Sequence, residues 1–280
     1  MIELKRKGIR SVEVREGAVP LLVFPLLEST GLVRHGFTTR LGGVSKDYCE
    51  SLNFGRMQGD SPENILENYR RTALALGLSP EQMVCSQQTH TTNVRVVTQA
   101  DAGKGITAER DYTDIDGLVT NVRGLALVTL YADCIPLFFV DPVNRAIGLS
   151  HSGWKGTVHG MGKETLRVMQ ENFGTNPADV RAAIGPGICQ DCYEVSEDVI
   201  EQVRRFYPED EHEALFRAGK PGKYYLNLLE ANRRQLCRAG VKAENIAVSD
   251  VCTCCNPTML FSHRASGGKR GNLAAVLCLE

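Results

Sequence analysis

The stretch from Tyr131 to Gly156, YADCIPLFFVDPVNRAIGLSHSGWKG, constrains this chain more than any other. Two largely apolar runs, 135–140 and 145–150, flank Asp141-Pro142-Val143-Asn144, whose Pro and Asn chemistry is that of a tight reversal. The segment therefore predicts a β-hairpin. With Val140 paired to Arg145, Cys134 falls directly opposite His151. Facing residues on one side of an antiparallel pair have Cβ atoms roughly 4.5–5.5 Å apart, a spacing that suits a thiolate and an imidazole sharing one metal ion or one proton. A Cys-His site is thus encoded within one local element.

At 280 residues the chain is long enough for a substantial core, and the expectation is one domain over 1–280. Its 32 basic and 33 acidic residues give a net charge of -1 with no basic tail, which argues against a nucleic-acid partner and for a small-molecule substrate. No apolar run approaches the ~20 residues needed to span a bilayer, and the basic N-terminal stretch lacks a signal-peptide core. A soluble, cytoplasmic protein is expected, as a monomer or homodimer. Ten cysteines in a reducing compartment point to metal ligation or catalysis before disulfides.

The remaining elements follow from period and punctuation. Residues 9–14 and 19–24 predict a first hairpin, and 32–39 a strand entering the loop Arg40-Leu41-Gly42-Gly43-Val44-Ser45. There the paired glycines allow close approach of backbone to a ligand; Arg40 either holds a phosphate or carboxylate or is simply solvated. Asn53 either holds a polar ligand or caps its own turn. Ser61-Pro62 starts a helix that Gly77 ends. Strands are predicted at 83–88 and 93–98, with His90 at a strand end, and the polar segment 99–116 is taken as a solvated excursion, Asp111, Asp114 and Asp116 included. Residues 117–121 and 125–130 predict another hairpin, 158–173 a helix and 181–184 a strand. A helix capped by Ser196 runs to about Tyr207, and 208–223 reads as a mobile loop. Asn227 and Glu230 form a capping-box pair for a helix to Gly240, before strands at 246–249, 259–262 and 273–277. Mixed strands, about four helices and few βαβ units indicate an α+β fold built on a mixed, largely antiparallel β-sheet.

Two constellations carry chemistry. His90, Cys134 and His151 form a three-ligand set with a free fourth position, as catalytic zinc requires; zinc in such a site lowers the pKa of a bound water to ~7. Asp133 can orient a ligand or act as general acid or base, although strand alternation sends it to the face opposite Cys134 unless the strand is distorted there. Arg40 and Lys155 are candidates for phosphate or ribose contacts. The second constellation is Cys189-x-x-Cys192 with Cys252, Cys254 and Cys255, a possible structural zinc site whose spacing matches no ribbon or finger; buried free thiols are the plainer reading. A metal-free alternative makes Cys134 the nucleophile and His151 its base. With six histidines and no His-x-His pair, the chain falls short of a multicopper centre, although copper in the His-Cys-His set would still support slow, laccase-like phenol oxidation.

Several segments, in order, carry a resemblance over almost the full chain: HGFTTRLGGVS (35–45), SLNFG (51–55), QQTH (87–90), ADCIPL (132–137), HSGWKG (151–156), IGPGI (184–188), CYEV (192–195) and DVCT (250–253). Together they resemble the YlmD/YfiH family of laccase-like proteins. The resemblance implies a sandwich covered by helices, similar to the cytotoxic necrotizing factor catalytic domain. It also implies a metal, usually zinc, on the residues matching His90, Cys134 and His151. The activities implied are phosphorolysis of purine nucleosides and methylthioadenosine, with phosphate as co-substrate, and deamination of adenosine. The family's tail, SYRR followed by TGR, is replaced here by Ser262-His263-Arg264-Ala265 and Lys269-Arg270-Gly271-Asn272.

Overall fold

The protein is described by a computed structural model covering residues 3–56 and 59–280. Its strands, in chain order, are β1 (Glu13–Arg15), β2 (Leu21–Val23), β3 (Val33–Thr38), β4 (Met83–Cys85), β5 (Val94–Val96), β6 (Gly117–Thr120), β7 (Ala126–Tyr131), β8 (Ile135–Asp141), β9 (Ala146–Ser152), β10 (Arg181–Ile184), β11 (Glu194–Ser196), β12 (Phe216–Ala218), β13 (Lys223–Leu226), β14 (Ile246–Val248) and β15 (Leu273–Leu279). They form a six-stranded sheet ordered β1-β2-β3-β15-β7-β4, a second ordered β14-β10-β8-β9-β6-β5, and a small sheet β11-β13-β12. Pairing is antiparallel except for β4/β7, β5/β6 and β10/β14, so the expected mixed, mainly antiparallel α+β architecture is the one found.

Strand alternation explains the layers. In β15, Leu273, Ala275, Leu277 and Leu279 face a core shared between the two large sheets, while Ala274, Val276 and Cys278 face the helix Pro62–Ala75. In β8, Phe138 and Val140 enter the shared core, whereas Ile135, Leu137 and Phe139 meet the helices Met161–Phe173, Glu197–Phe206 and Leu228–Arg238. Both sheets are covered on both faces, so their central strands are apolar throughout rather than alternating. Helix starts follow the sequence: Ser61 Oγ accepts from Asn64 N at 3.1 Å, and Asn227 Oδ1 from Glu230 N at 3.1 Å. Among the described residues, no helix is long and apolar enough to cross a membrane.

Several expectations are corrected. Residues 117–121 and 125–130 are not a hairpin: β6 pairs with β5 and β9, whereas β7 belongs to the other sheet. Two buried apolar strands on either side of a turn look like a hairpin in sequence whether or not they pair. The helix expected over 158–173 begins earlier and is broken at Gly160, whose φ of 86° ends Trp154–His159 before Met161–Phe173 starts. The run 208–223 is built into the small sheet through β12 and β13. Residues 259–262 form turns onto Asn256, with Leu260 and Phe261 buried in the shared core, and not a strand.

One core group titrates against the fold. His35 is buried, its Nε2 accepting from Phe24 N at 2.8 Å, and burial with a lesser repulsion from Arg15 lowers its pKa from 6.5 to about 3. The unfolded chain therefore takes up a proton below pH 6.5 that the folded chain refuses until near pH 3. Unfolding free energy should fall by ~1.4 kcal/mol per pH unit across that window from this group alone. Urea unfolding at pH 7 and 5, together with the imidazole resonances of the folded protein, checks it; a His35 ring that titrates near 6.5 in the folded state contradicts it.

Candidate metal centre and cavity

The β8–β9 hairpin forms as expected, but its register is shifted by two. Asp141 faces Ala146 and Pro136 faces His151, so Cys134 lies one residue before β8 rather than directly opposite His151. The turn is Pro142–Arg145, closed by Asp141, whose Oδ1 accepts from Val143 N and Asn144 N, and finished by Arg145 at φ 51°. A shift of two keeps every side chain on its face. Cys134 and His151 therefore remain diagonal neighbours, and the site survives the correction.

His90 joins them from the loop after β4. That loop folds around Asp116, which is fully buried and not the solvated acid expected. Its carboxylate accepts from Thr89 N (3.0 Å), His90 N (3.1 Å), Thr91 N (3.0 Å) and Thr91 Oγ1 (3.1 Å). It also meets His151 Nδ1 at 2.8 Å, and its own carbonyl accepts from His151 N. Asp116 thus shapes the His90 loop and orients the His151 ring with one group. Burial opposes its charge, but His151 and the backbone donors outweigh burial and hold it below the usual carboxylate range. The signal missed in the sequence is position: Asp116 directly precedes a wholly buried strand, where a free surface acid is out of place.

With Nδ1 donated to Asp116, His151 presents Nε2 to the centre. Ligand atoms of His90, Cys134 and His151 lie within 4.8 Å of one another, and the two imidazole rings are 4.9 Å apart. Burial disfavours charge on His151, yet Cys134 and Asp116 raise its pKa to about 9; His90 is lowered, first by burial and then by His151. A Cβ built on Gly153 would stand 2.8 Å from His90 Nδ1 and 3.2 Å from Cys134 Sγ, so glycine keeps this approach clear. Two nitrogens and a soft sulfur, with a carboxylate behind one imidazole, fit a zinc or copper ion.

The centre opens into a cavity of about 300 Å³. Its lining includes His90, Cys134, Asp133, Trp154, Lys155 and Tyr193. Asp133 lines it together with Cys134, and the backbone there departs from regular strand alternation, with φ 90° at Asp133. Thr253 Oγ1 donates to its Oδ1 at 2.6 Å and Arg264 N to its Oδ2 at 2.7 Å. Lys155 Nζ sits 5.8 Å from the Trp154 ring centroid.

Arg40 and Asn53 are not brought there. Arg40 Nε donates to Glu50 O (2.7 Å) and Nη1 to Pro257 O (2.9 Å), and its guanidinium stacks 4.5 Å from the Phe261 ring. Asn53 is fully buried, its Oδ1 accepting from Gly55 N and Asn272 N and its Nδ2 donating to Asp60. Even the paired glycines serve the protein's own chain: a Cβ on Gly43 would fall 2.0 Å from Ser51 O. Arg270, which the sequence marks only as part of the altered tail, is half-buried with an unpartnered Nε; burial lowers its pKa against the pull of Asp133 and Cys134.

The fold and this centre define a class: a helix-covered α+β sandwich with two histidines and a cysteine gathered at a strand-end cavity. A family model described as multi-copper polyphenol oxidoreductase laccase matches residues 34–280, and the chain belongs to that family. It is 39% identical over 248 residues to the purine nucleoside phosphorylase YlmD of Bacillus subtilis, covering 88% of each chain. It is 32% identical to the adenosine deaminase RL5 of an unknown prokaryotic organism, over 84% of this chain and 90% of that one. The crystal structure of the hypothetical protein YfiH from Bacillus licheniformis superposes with a TM-score of 0.89 at 34% identity, covering 95% of this chain and 99% of that one.

Replacing Asp116 by Asn keeps its volume while removing the charge that fixes the His151 tautomer. Metal affinity should fall 10–100-fold, the usual cost of losing such a partner. Competition against a chromophoric chelator measures it, and unchanged affinity would show that Asp116 plays no part in the centre.

Proposed function

We propose that this protein is a metal-dependent purine nucleoside enzyme. It would phosphorolyse adenosine, inosine, guanosine and methylthioadenosine, and deaminate adenosine, at the cavity above His90, Cys134 and His151. The observation that carries the reading is that this ligand set meets, through His90 and Cys134, the same cavity that Asp133 and Lys155 line. The nucleoside names of the relatives are preferred to the laccase description because of the donors. Among the described residues, the clusters able to hold a metal are one His-Cys-His set and one four-cysteine set, short of the imidazoles that a multicopper array needs.

His90, Cys134 and His151 are the residues that would hold the ion, zinc in our reading, with copper chemically admissible. When bound, it supplies Lewis acidity, the property that activates oxygen nucleophiles near neutral pH. The chain's own groups do the rest. Lys155 is assigned to phosphate or the ribose hydroxyls as a point-charge donor, and Trp154 and Tyr193 give the cavity apolar walls for a purine. Asp133 is held by Thr253 and Arg264 in one orientation. It is assigned the proton that moves: taken from attacking dihydrogen phosphate and given to a ring nitrogen of the departing purine as phosphate takes the ribose C1′, or taken from the attacking water and given to the amine that leaves C6. The buried Asp116 keeps His151 oriented and takes no proton itself.

A second reading rests on one observation. Cys134, His151 and Asp116 also line up as thiol, imidazole and carboxylate, the arrangement of a cysteine hydrolase. Metal dependence separates the two readings, because His90 has no part in the second.

Metal-quantified protein incubated with adenosine should yield adenine and ribose 1-phosphate only when phosphate is present, and inosine without it. Asp133→Asn should lower kcat by ~10²–10⁴-fold with bound metal retained, whereas Cys134→Ala should lose metal and activity together. Metal-loaded protein that returns adenosine, inosine and methylthioadenosine unchanged would refute the nucleoside assignment. Activity that survives metal removal and disappears on alkylation of Cys134 would establish the hydrolase instead.

A further inference from the structure

Away from the His-Cys-His set lies a second cluster, made by two loops far apart in sequence. Cys189 and Cys192 occupy the turn after β10, and Cys252 and Cys255 the turn after β14. Each pair is a C-x-x-C, so the sequence holds two such turns and not one pair with scattered companions, a regularity hidden by Cys254 between the second pair. One sulfur from each of Cys189, Cys192, Cys252 and Cys255 lies within 4.8 Å of all the others.

The geometry is that of ligands around an ion. Cys192 Sγ and Cys255 Sγ are 3.5 Å apart, and Cys189 Sγ and Cys255 Sγ 3.9 Å. Four thiolates on zinc at ~2.3 Å define a tetrahedron with edges of ~3.8 Å, whereas a disulfide closes two sulfurs to ~2.05 Å. All four thiols are free in this structure. The backbone supports the same reading. Cys192 N and Tyr193 N both turn back onto Cys189 O at 3.1 Å, and Cys189 N donates to Cys252 Sγ at 3.2 Å, a contact that favours the thiolate. Gly187 bridges Cys252 in parallel, and Thr253 N donates to Gly187 O at 3.1 Å, which sets the two turns side by side. Lys7, paired to Asp191 within the first turn, places a cation beside the sulfurs.

We propose that Cys189, Cys192, Cys252 and Cys255 bind one zinc ion as a closed tetrathiolate, a structural site separate from the His90–Cys134–His151 centre. Four protein ligands leave no open position, so the ion joins two loops and takes no substrate. The loops joined are those that build one wall of the cavity: Ile188 and Tyr193 flank the first C-x-x-C and line the cavity, and Thr253, inside the second, donates to Asp133.

The test is metal counting on the full chain purified under reducing conditions from zinc-supplemented medium. Cys134→Ala, which removes a ligand of the other centre, should retain one zinc per chain. Its four cluster thiols should resist Ellman's reagent until a chelator strips the ion. Cobalt exchanged into the same variant should show the sulfur-to-cobalt charge transfer and intense d–d bands of a tetrahedral tetrathiolate, and adding Cys192→Ser with Cys255→Ser should abolish the zinc. Because the count, the thiol assay and the spectrum are read with all four cysteines in place, a folding failure of the serine variant does not blunt the test. Folded Cys134→Ala protein with no bound zinc and four freely reactive thiols would overturn the proposal, as would an intact mass showing the cysteines joined as disulfides.

Discussion

The buried carboxylate of Asp116 is the constraint on which the candidate centre depends. A fully buried charge is tolerable only if its desolvation is offset, and here three consecutive backbone N–H groups, a threonine hydroxyl and an imidazole do so. That demand shapes the chain around it. To point three successive amides at one carboxylate, the loop at 89–91 must curl, and His90 takes φ 65° within the curl. His151 is tied to Asp116 through both ring and main chain, so rotating its ring would take one of the five donors from a buried charge. Two of the three candidate ligands are thus placed by one acid that offers no ligand atom of its own.

The third candidate ligand, Cys134, is placed by topology. β7 lies in one large sheet and β8 in the other, and only residues 132–134 join them. Crossing a sandwich in so short a link forces a sharp bend, and the left-handed φ at Asp133 is where the bend is made. The same distortion turns Asp133 toward the cavity beside Cys134. A residue that regular alternation would bury on the wrong face becomes available because the chain changes sheets there. Thr253 and Arg264 N then fix it from a third and a fourth stretch of chain.

What the sequence disclosed follows the range of the interactions involved. The β8–β9 hairpin, the Ser61 and Asn227 caps and the nearness of Cys134 to His151, though not their direct pairing, depend on residues close together and were legible. The register was misplaced by two because Asp141 closes the turn with its side chain and Arg145 adopts a conformation that its residue type does not announce. β6 and β7 were assigned to each other because strands buried on both faces carry no alternation from which a partner can be read. Arg40 and Asn53 sit in segments that look ligand-binding, but the hydrogen bonds they make go to Glu50, Pro257, Gly55, Asp60 and Asn272, contacts spanning up to 219 residues. Asp116 was hidden by the polar segment that precedes it.

The two cysteine-bearing clusters differ in the property that separates reactive from structural metal chemistry. The set at the cavity offers three candidate ligands, one of them the exposed His90, and a glycine where any side chain would crowd the approach. The other has four sulfurs and no imidazole, with backbone closed around it on two turns. An open position suits an ion that must meet a substrate, and a saturated one suits an ion that holds loops together. Thr253 connects the two, standing between Cys252 and Cys255 while donating to the carboxylate of Asp133. On this arrangement a rigid four-sulfur joint would set the position of the group assigned to move a proton, so loosening the joint would be felt at Asp133 before it was felt at the His90, Cys134 and His151 ligands, which Asp116 and the β8–β9 hairpin hold independently.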